Sequence, residues 1–232
     1  MSDASVLFAE LAAGDRRLGR VTLNVAATLN SLTLDMFNML QALLYTWRDD
    51  EQIAAVFIDG AGDKAFCAGG DVQALHQSAV ATPGGPCEYA ENFFTREYRM
   101  NYTLHTYPKP IICWGHGIVM GGGLGVMAGC SHRVVTEKTR IAMPEVTIAL
   151  FPDVGGSWFL NHMPGKCGQF LALTGASINA ADAIYTGIAG RFIASEHKAA
   201  VIEQLLLQSW SADARANHAL VKHTLRPFSE QS

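Results

Sequence analysis

Two runs of strand-forming residues, Ile53–Asp59 and Ile111–Trp114, are almost wholly apolar, and each leads into a glycine-rich turn. A strand apolar on both faces is stable only between covering layers, so these runs point to a buried sheet with helices packed on it. The first enters the loop Gly60–Gly70, which contains Cys67-Ala-Gly-Gly-Asp71; the second leads to Met120-Gly-Gly-Gly-Leu-Gly125. Ahead of both, Leu34, Phe37, Leu40, Leu43, Leu44 and Trp47 recur at helical spacing and predict one amphipathic helix. Glu88–Tyr107 reads as a second long helix, ended by Pro108 and Pro110. Gly122–Cys130 predicts a helix with small residues on one side, and His132–Thr136 a further strand.

The chain opens with Val6–Leu11 and Arg20–Val25 around Ala12-Ala-Gly-Asp15, a hairpin whose loop is read as longer than a tight two-residue turn. The order strand, strand, helix therefore repeats. From Gly155 onward helices are expected at 155–162, 166–174, 180–185, 195–210 and 212–224. Sheet first and helices last describe an α/β domain with a helical tail.

With 232 residues and 49% hydrophobic content the chain can bury the core of a single domain. A net charge of -4 provides no basic face for nucleic acid or an anionic membrane surface. Five cysteines without a CxxC pair read as free thiols of a reducing compartment, and the cytoplasm is expected. The amino terminus has no basic region followed by a long apolar run, so neither a secretory signal nor a transit peptide is expected. No apolar window reaches the roughly 20 residues of a bilayer span.

The chemistry concentrates in Ile141-Ala-Met-Pro-Glu-Val-Thr-Ile-Ala-Leu-Phe-Pro-Asp-Val-Gly-Gly156, where Glu145 and Asp153 stand in apolar surroundings. Burial would raise the Glu145 pKa toward a value useful to a general base. Taken alone, Glu145 reads equally as the opening of a helix after Pro144, and Asp153 as an ordinary N-cap. The two glycine turns can offer bare N–H groups to a carbonyl oxygen, each donor worth about 3–4 kcal/mol once that oxygen becomes an oxyanion. Rival constellations are weaker. Cys67 and Cys130 with His116 and His132 have nothing to fix them as a thiol site, and the eight histidines lack paired metal-ligand spacing, so no metal is expected. Gly123-Leu-Gly125-Val-Met-Ala128 fits a loose dinucleotide pattern with Glu145 as its acid. Against it stand a long gap after the strand ending near Trp114, and the proline before Glu145.

Ala65-Phe-Cys-Ala-Gly-Gly-Asp71, Pro108-Lys-Pro-Ile-Ile112, Met120-Gly-Gly-Gly123 and Met143-Pro-Glu145 together resemble, in order and spacing, the crotonase (enoyl-CoA hydratase/isomerase) superfamily. The resemblance covers about residues 6–195 and implies an α/β fold, a crotonase-like spiral of ββα repeats with a helical carboxy-terminal segment. It casts the N–H groups of Gly70 and Gly122 as an oxyanion hole. It lays coenzyme A along the Phe66–Asp71 loop, with Phe66, Ala68 and Asp71 as substrate-binding residues. Coenzyme A enters as part of the acyl-CoA substrate, so no separate cofactor is expected.

Hydratases of the superfamily carry two catalytic glutamates, and the first of those positions is Gly125 here. Only Glu145 remains of that pair, with Asp153 where hydratases tend to have glycine. The run Met143–Gly156, followed by Phe170-Leu-Ala-Leu-Thr-Gly175, looks like the 3-hydroxyisobutyryl-CoA hydrolase branch. That branch also matches Phe93-Phe-Thr-Arg-Glu-Tyr98, which puts Glu97 on the substrate side of its helix. The implied reaction is hydrolysis of a short 3-hydroxyacyl-CoA thioester, as in valine breakdown, with Glu145 and Asp153 as the catalytic pair.

Residues 1–195 are then the acyl-CoA-binding core, and 196–232 a helical carboxy-terminal segment truncated relative to that branch. Two alternatives stay open: an enoyl-CoA hydratase or isomerase, and a shortened module that binds acyl-CoA without turning it over. Homo-oligomer assembly is a further state the sequence allows.

Overall fold

After an opening hairpin that stays in one sheet, each repeat sends its first strand to that sheet and its second to another. In the computed structural model, which describes residues 4–230, the order begins with β1 (Val6–Ala13), β2 (Arg16–Leu23) and α1 (Leu34–Asp49). It continues with β3 (Ile53–Gly60), β4 (Ala65–Cys67), α2 (Val72–Ala81) and α3 (Glu88–His105), then β5 (Ile111–Gly115), β6 (Ile118–Met120) and α4 (Gly122–Gly129). Next come β7 (His132–Val135), β8 (Arg140–Ala142), a 3-10 turn over Glu145–Ile148 and α5 (Gly156–Asn161). After α6 (Cys167–Thr174), α7 (Ala180–Tyr185) and β9 (Arg191–Phe192), the chain finishes in α8 (Lys198–Leu206) and α9 (Ala214–Glu230). Met1 to Asp3, part of the stretch read for a leader, and Gln231 and Ser232 lie outside the described residues.

The larger sheet has the order β1-β2-β3-β5-β7-β9, parallel except for the β1–β2 hairpin; β4, β6 and β8 form a second, parallel sheet. This is the expected α/β spiral. Three details differ from the expectation. Ala13 pairs with Arg16, so the hairpin closes through Gly14 and Asp15 alone, with Gly14 at φ +62° as a two-residue turn requires. The strands β4, β6, β8 and β9 have only two or three residues, too few for any alternation to show in sequence. And α9 runs past Thr224 through Pro227, held because Val221 and Leu225 are fully buried against the sheet.

The large sheet is covered on both sides, which explains its apolar strands. Val56, Ile58, Ile111 and Cys113 face a core shared with Phe37, Leu40 and Leu44 of α1 and Met127 of α4. Alternate residues Ala55, Phe57, Ile112 and Trp114 face Val201 and Leu205 of α8 and Val221 and Leu225 of α9. Asp59, at the end of β3 and fully buried, accepts from Thr22 Oγ1 (2.5 Å), Arg20 Nη2 (2.7 Å) and Lys198 Nζ (2.9 Å) and so ties α8 to the sheet.

The contact that shapes the site is α3 against α4. A Cβ on Gly129 would stand 2.9 Å from Leu104 Cβ, and one on Gly122 would overlap the Glu97 carboxylate. Glycines weaken a helix by about 1 kcal/mol each relative to alanine. Here they let α3 lie directly on α4 and bring its inner face to the glycine turns.

Candidate active site

Glycine turns, backbone tethers and three buried acids converge at the first turn of α4. Asn30 is fully buried at φ +56°; its Oδ1 accepts from Val25 N (2.9 Å) and its Nδ2 donates to Ala61 O and Ala65 O (3.0 Å each). This fixes the segment bearing Leu32, which pairs with the first glycine turn: Leu32 N donates to Gly69 O (2.8 Å) and Asp71 N to Leu32 O (2.9 Å). The pairing leaves Gly70 N unused. In the second turn Gly121, at φ +50°, donates to Ala142 O (3.2 Å), and Gly122 is the first helical residue, with no preceding turn to accept its N–H. Among the described residues neither Gly70 N nor Gly122 N donates to a protein group. Gly70 N lies 3.3 Å from the point where a Gly122 Cβ would be, so the two turns abut.

A cavity of about 930 Å³ opens over these turns, and Ala68, Gly70, Gly122, Glu97, Glu145 and Asp153 all line it. Six of the eight residues singled out from sequence thus come together. Phe66 does not: its side chain is fully buried in the core and supports the turn from behind. Asp71 does not line the cavity either; its Oδ1 accepts from Ala74 N (3.0 Å) as the N-cap of α2.

The three acids arrive on different elements. Glu97 projects from the inner face of α3 and is 2% exposed. Burial, and then the charges of Asp153 and Glu145, push its pKa up to about 8. Glu145 opens the 3-10 turn behind Pro144, with its Oε2 buried and unpartnered; burial first and the Asp153 charge second push it up to about 7. The expected apolar setting of Glu145 is therefore present, and so is the helical opening.

Asp153 is not the N-cap that its sequence position suggested. Gly155 occupies that place in α5 without a side-chain cap, while Asp153 Oδ2 accepts from the Tyr98 hydroxyl at 2.7 Å. Burial raises its pKa, against the lowering effect of the Tyr98 bond. Near neutral pH such a set holds a protonated acid, Glu97, beside a carboxylate poised to gain or lose a proton, Glu145. Next to two free N–H donors it can stabilise an oxyanion and move protons around it.

The rival readings fare differently. Burial pushes the Cys67 thiol up to about 12, which removes it as a nucleophile. The dinucleotide pattern loses one objection, because β6 directly precedes the second turn and the supposed gap is absent. It still fails, because Glu145 sits on a 3-10 turn behind its proline and the α4 N-terminus faces carboxyl groups where a pyrophosphate would lie.

Gly125, where the resemblance places the first of the two hydratase glutamates, faces Val154: a Cβ there would stand 2.5 Å from Val154 Cβ. Sequence reading missed Tyr98, Asn30 and Leu32. Tyr98 alone carried a signal, as the neighbour of Glu97; Asn30 and Leu32 act through backbone tethers that no local pattern announces.

The enoyl-CoA hydratase/isomerase family model matches residues 18–232. Among curated proteins, the chain is 44% identical over 180 residues to the Danio rerio protein named 3-hydroxyisobutyryl-CoA hydrolase, mitochondrial, covering 78% of this chain and 46% of that one. The Homo sapiens protein of the same name is 43% identical over 188 residues, 81% of this chain and 48% of that one. The chain therefore spans about half the length of these relatives. Among solved structures, a carnitinyl-CoA dehydratase from Mycobacterium thermoresistibile superposes with TM-score 0.84 at 37% identity, over 97% of this chain and 61% of that one. An enoyl-CoA hydratase from Rhodobacter sphaeroides superposes with TM-score 0.81 at 37% identity, over 97% and 66%.

Proposed function

Because the chain belongs to the enoyl-CoA hydratase/isomerase family, we propose that it binds a short 3-hydroxyacyl-CoA, of the 3-hydroxyisobutyryl-CoA kind, and hydrolyses its thioester. The observation that carries this reading is the pairing of Glu145 and Asp153 over the free N–H groups of Gly70 and Gly122, with no room for a second glutamate at Gly125. The thioester oxygen accepts from both N–H groups, and coenzyme A extends along Ala68–Gly70 and α2. Glu97, protonated near neutral pH, donates to the substrate.

Two routes use the same atoms. In one, the Glu145 carboxylate takes a proton from water as the water oxygen attacks the carbonyl carbon, the C–S bond breaks and the thiolate leaves with that proton. In the other, Glu145 itself attacks, the thiolate leaves, and water opens the resulting mixed anhydride. Asp153 orients the water or the substrate hydroxyl in both. Single turnover in labelled water separates them, since only the anhydride route places label in Glu145.

The relatives' names support the hydrolase reading, and a place in valine breakdown goes with that substrate. The names of the two solved structures favour a hydratase or dehydratase as the second reading. A reducing compartment is supported by five unpaired cysteines and fits the cytoplasm as well as the mitochondria of the relatives' names. The test is thiol release from 3-hydroxyisobutyryl-CoA against loss of enoyl absorbance from crotonyl-CoA, with Glu145→Gln as control. Thiol release abolished in Glu145→Gln establishes the hydrolase. Enoyl loss alone makes the protein a hydratase, and silence in both with acyl-CoA bound makes it a binding module.

A further inference from the structure

A second cavity, of about 470 Å³, lies beyond Asp153, and Asp153 lines both cavities. Its walls include the rings of Tyr102, Phe151, Trp158 and Phe159, and it reaches Asn101 and Gly125. Asn101 is 9% exposed, and neither its Oδ1 nor its Nδ2 has a hydrogen-bond partner among the described residues. A buried amide unpaired at both ends is rare and calls for a specific reason. Beside it Val154 holds φ +46°, a conformation that a β-branched side chain strongly resists. Val154 Cβ is 2.5 Å and Asn101 Nδ2 is 3.2 Å from the same point, the Cβ position of Gly125. The strained valine and the orphaned amide thus meet in the wall of the second cavity, with Asp153, which lines both cavities, next to the valine in the chain. Asn101 also stands one helical turn beyond Glu97 on the same face of α3, about 6 Å further along.

We propose that this second cavity receives the far end of a longer acyl group, with the Asn101 amide recognising a hydroxyl or carbonyl carried there and Val154 narrowing the passage to it. The inference rests on the acyl-CoA reading above. With the carbonyl held at Gly70 and Gly122, an acyl chain passing Asp153 needs about 6 Å more to travel the helical step from Glu97 to Asn101. A 3-hydroxyl stops at Asp153; a polar group a few carbons further out reaches Asn101. The amide offers both a donor and an acceptor, which suits a hydroxyl, and the aromatic walls suit the methylenes before it. Glycine at 154 would tolerate the positive φ and widen the passage.

The test uses 2-oxoalkyl thioethers of coenzyme A, which keep a carbonyl but have no thioester to cleave. Their dissociation constants are measured by calorimetry for 2-oxopentyl-, 2-oxooctyl- and 8-hydroxy-2-oxooctyl-CoA. Val154→Gly is expected to tighten the hydroxyoctyl compound at least tenfold relative to the pentyl one, and its binding is expected to quench Trp158 fluorescence. Adding Asn101→Leu or Asn101→Ser is expected to erase a five- to tenfold preference for the hydroxyoctyl over the octyl compound, with thermal melts confirming folded protein. Unchanged ratios in Val154→Gly, or a hydroxyl preference that survives both Asn101 variants, would overturn the inference. If the pentyl compound fails to bind the unaltered protein, the acyl-CoA reading itself falls; if it binds and only the ratios stay flat, this inference alone falls.

Discussion

The Tyr98 hydroxyl donates to Asp153 Oδ2 across 2.7 Å, joining α3 to the loop that precedes α5. Tyr98 thereby holds the one acid of the site that arrives on an irregular segment. It also counteracts the rise in Asp153 pKa caused by burial. Tyr98→Phe is expected to lower kcat about tenfold with KM little changed, the size of a lost positioning contact. The pH–rate profile should gain a contribution from Asp153 beside that of Glu145, because Asp153 loses the bond that favours its charged form and its pKa rises. An unchanged profile would show that Tyr98 merely packs.

Activity should follow ionisation of Glu145, whose pKa is pushed up to about 7 by burial. Both routes need its carboxylate, so kcat/KM is expected to climb with pH and level off above about 7. Glu145→Gln should lose at least ~10³-fold in kcat and with it that limb. Steady-state thiol release between pH 5 and 9 checks both.

Glu97 is expected to oppose stability at alkaline pH. It ionises near 4.5 in the unfolded chain and near 8 in the folded one, chiefly because it is buried. Its stability penalty is absent below pH 4.5 and grows as pH rises toward 8, where the unfolded state alone gains from ionisation. Glu97→Gln should therefore stabilise the protein at pH 8 by roughly 2–4 kcal/mol in urea unfolding and do little at pH 4.5. Equal effects at both pH values would contradict a buried, protonated Glu97.

Acid should loosen the carboxy-terminal helix. His132 Nε2 and His218 Nδ1 are 3.1 Å apart where β7 meets α9, near Lys222, Arg191 and Arg133. Burial first, then His218 and these cations, lower the His132 pKa from 6.5 to about 3. The unfolded chain takes up this proton below 6.5 and the folded one resists it, so stability is full above 6.5 and drains as pH falls toward 3. His132→Gln should flatten the decline between pH 7 and 5 by about 1–2 kcal/mol; hydrogen exchange of α9 would report the same change locally.

Much of this was legible in the chain because it follows from local pattern. The apolar runs at Ile53 and Ile111 announced strands buried on both faces, and the spacing from Leu34 to Trp47 announced α1. The glycine turns and Met143-Pro-Glu145 marked where the site would form. The strand β6 was not legible: three residues between Gly117 and Gly121 carry no periodicity, and pairing with β4 and β8 alone makes them a strand.

The sequence by itself determined the long strands of the large sheet, the helices packed on them, the helical tail and the residues able to do acid chemistry, since periodicity, glycine and charge are properties of neighbours along the chain. Only the tertiary structure decided which of those residues share a cavity. Phe66 turned into the core, Asp71 capped α2, and Asp153 left the helix start for Tyr98, fifty-five positions away in the chain. Burial, the other carboxylates around Glu97 and Glu145, and the Tyr98 bond to Asp153, none visible in a linear string, then set the direction of each acid's pKa and so its proposed part in the chemistry.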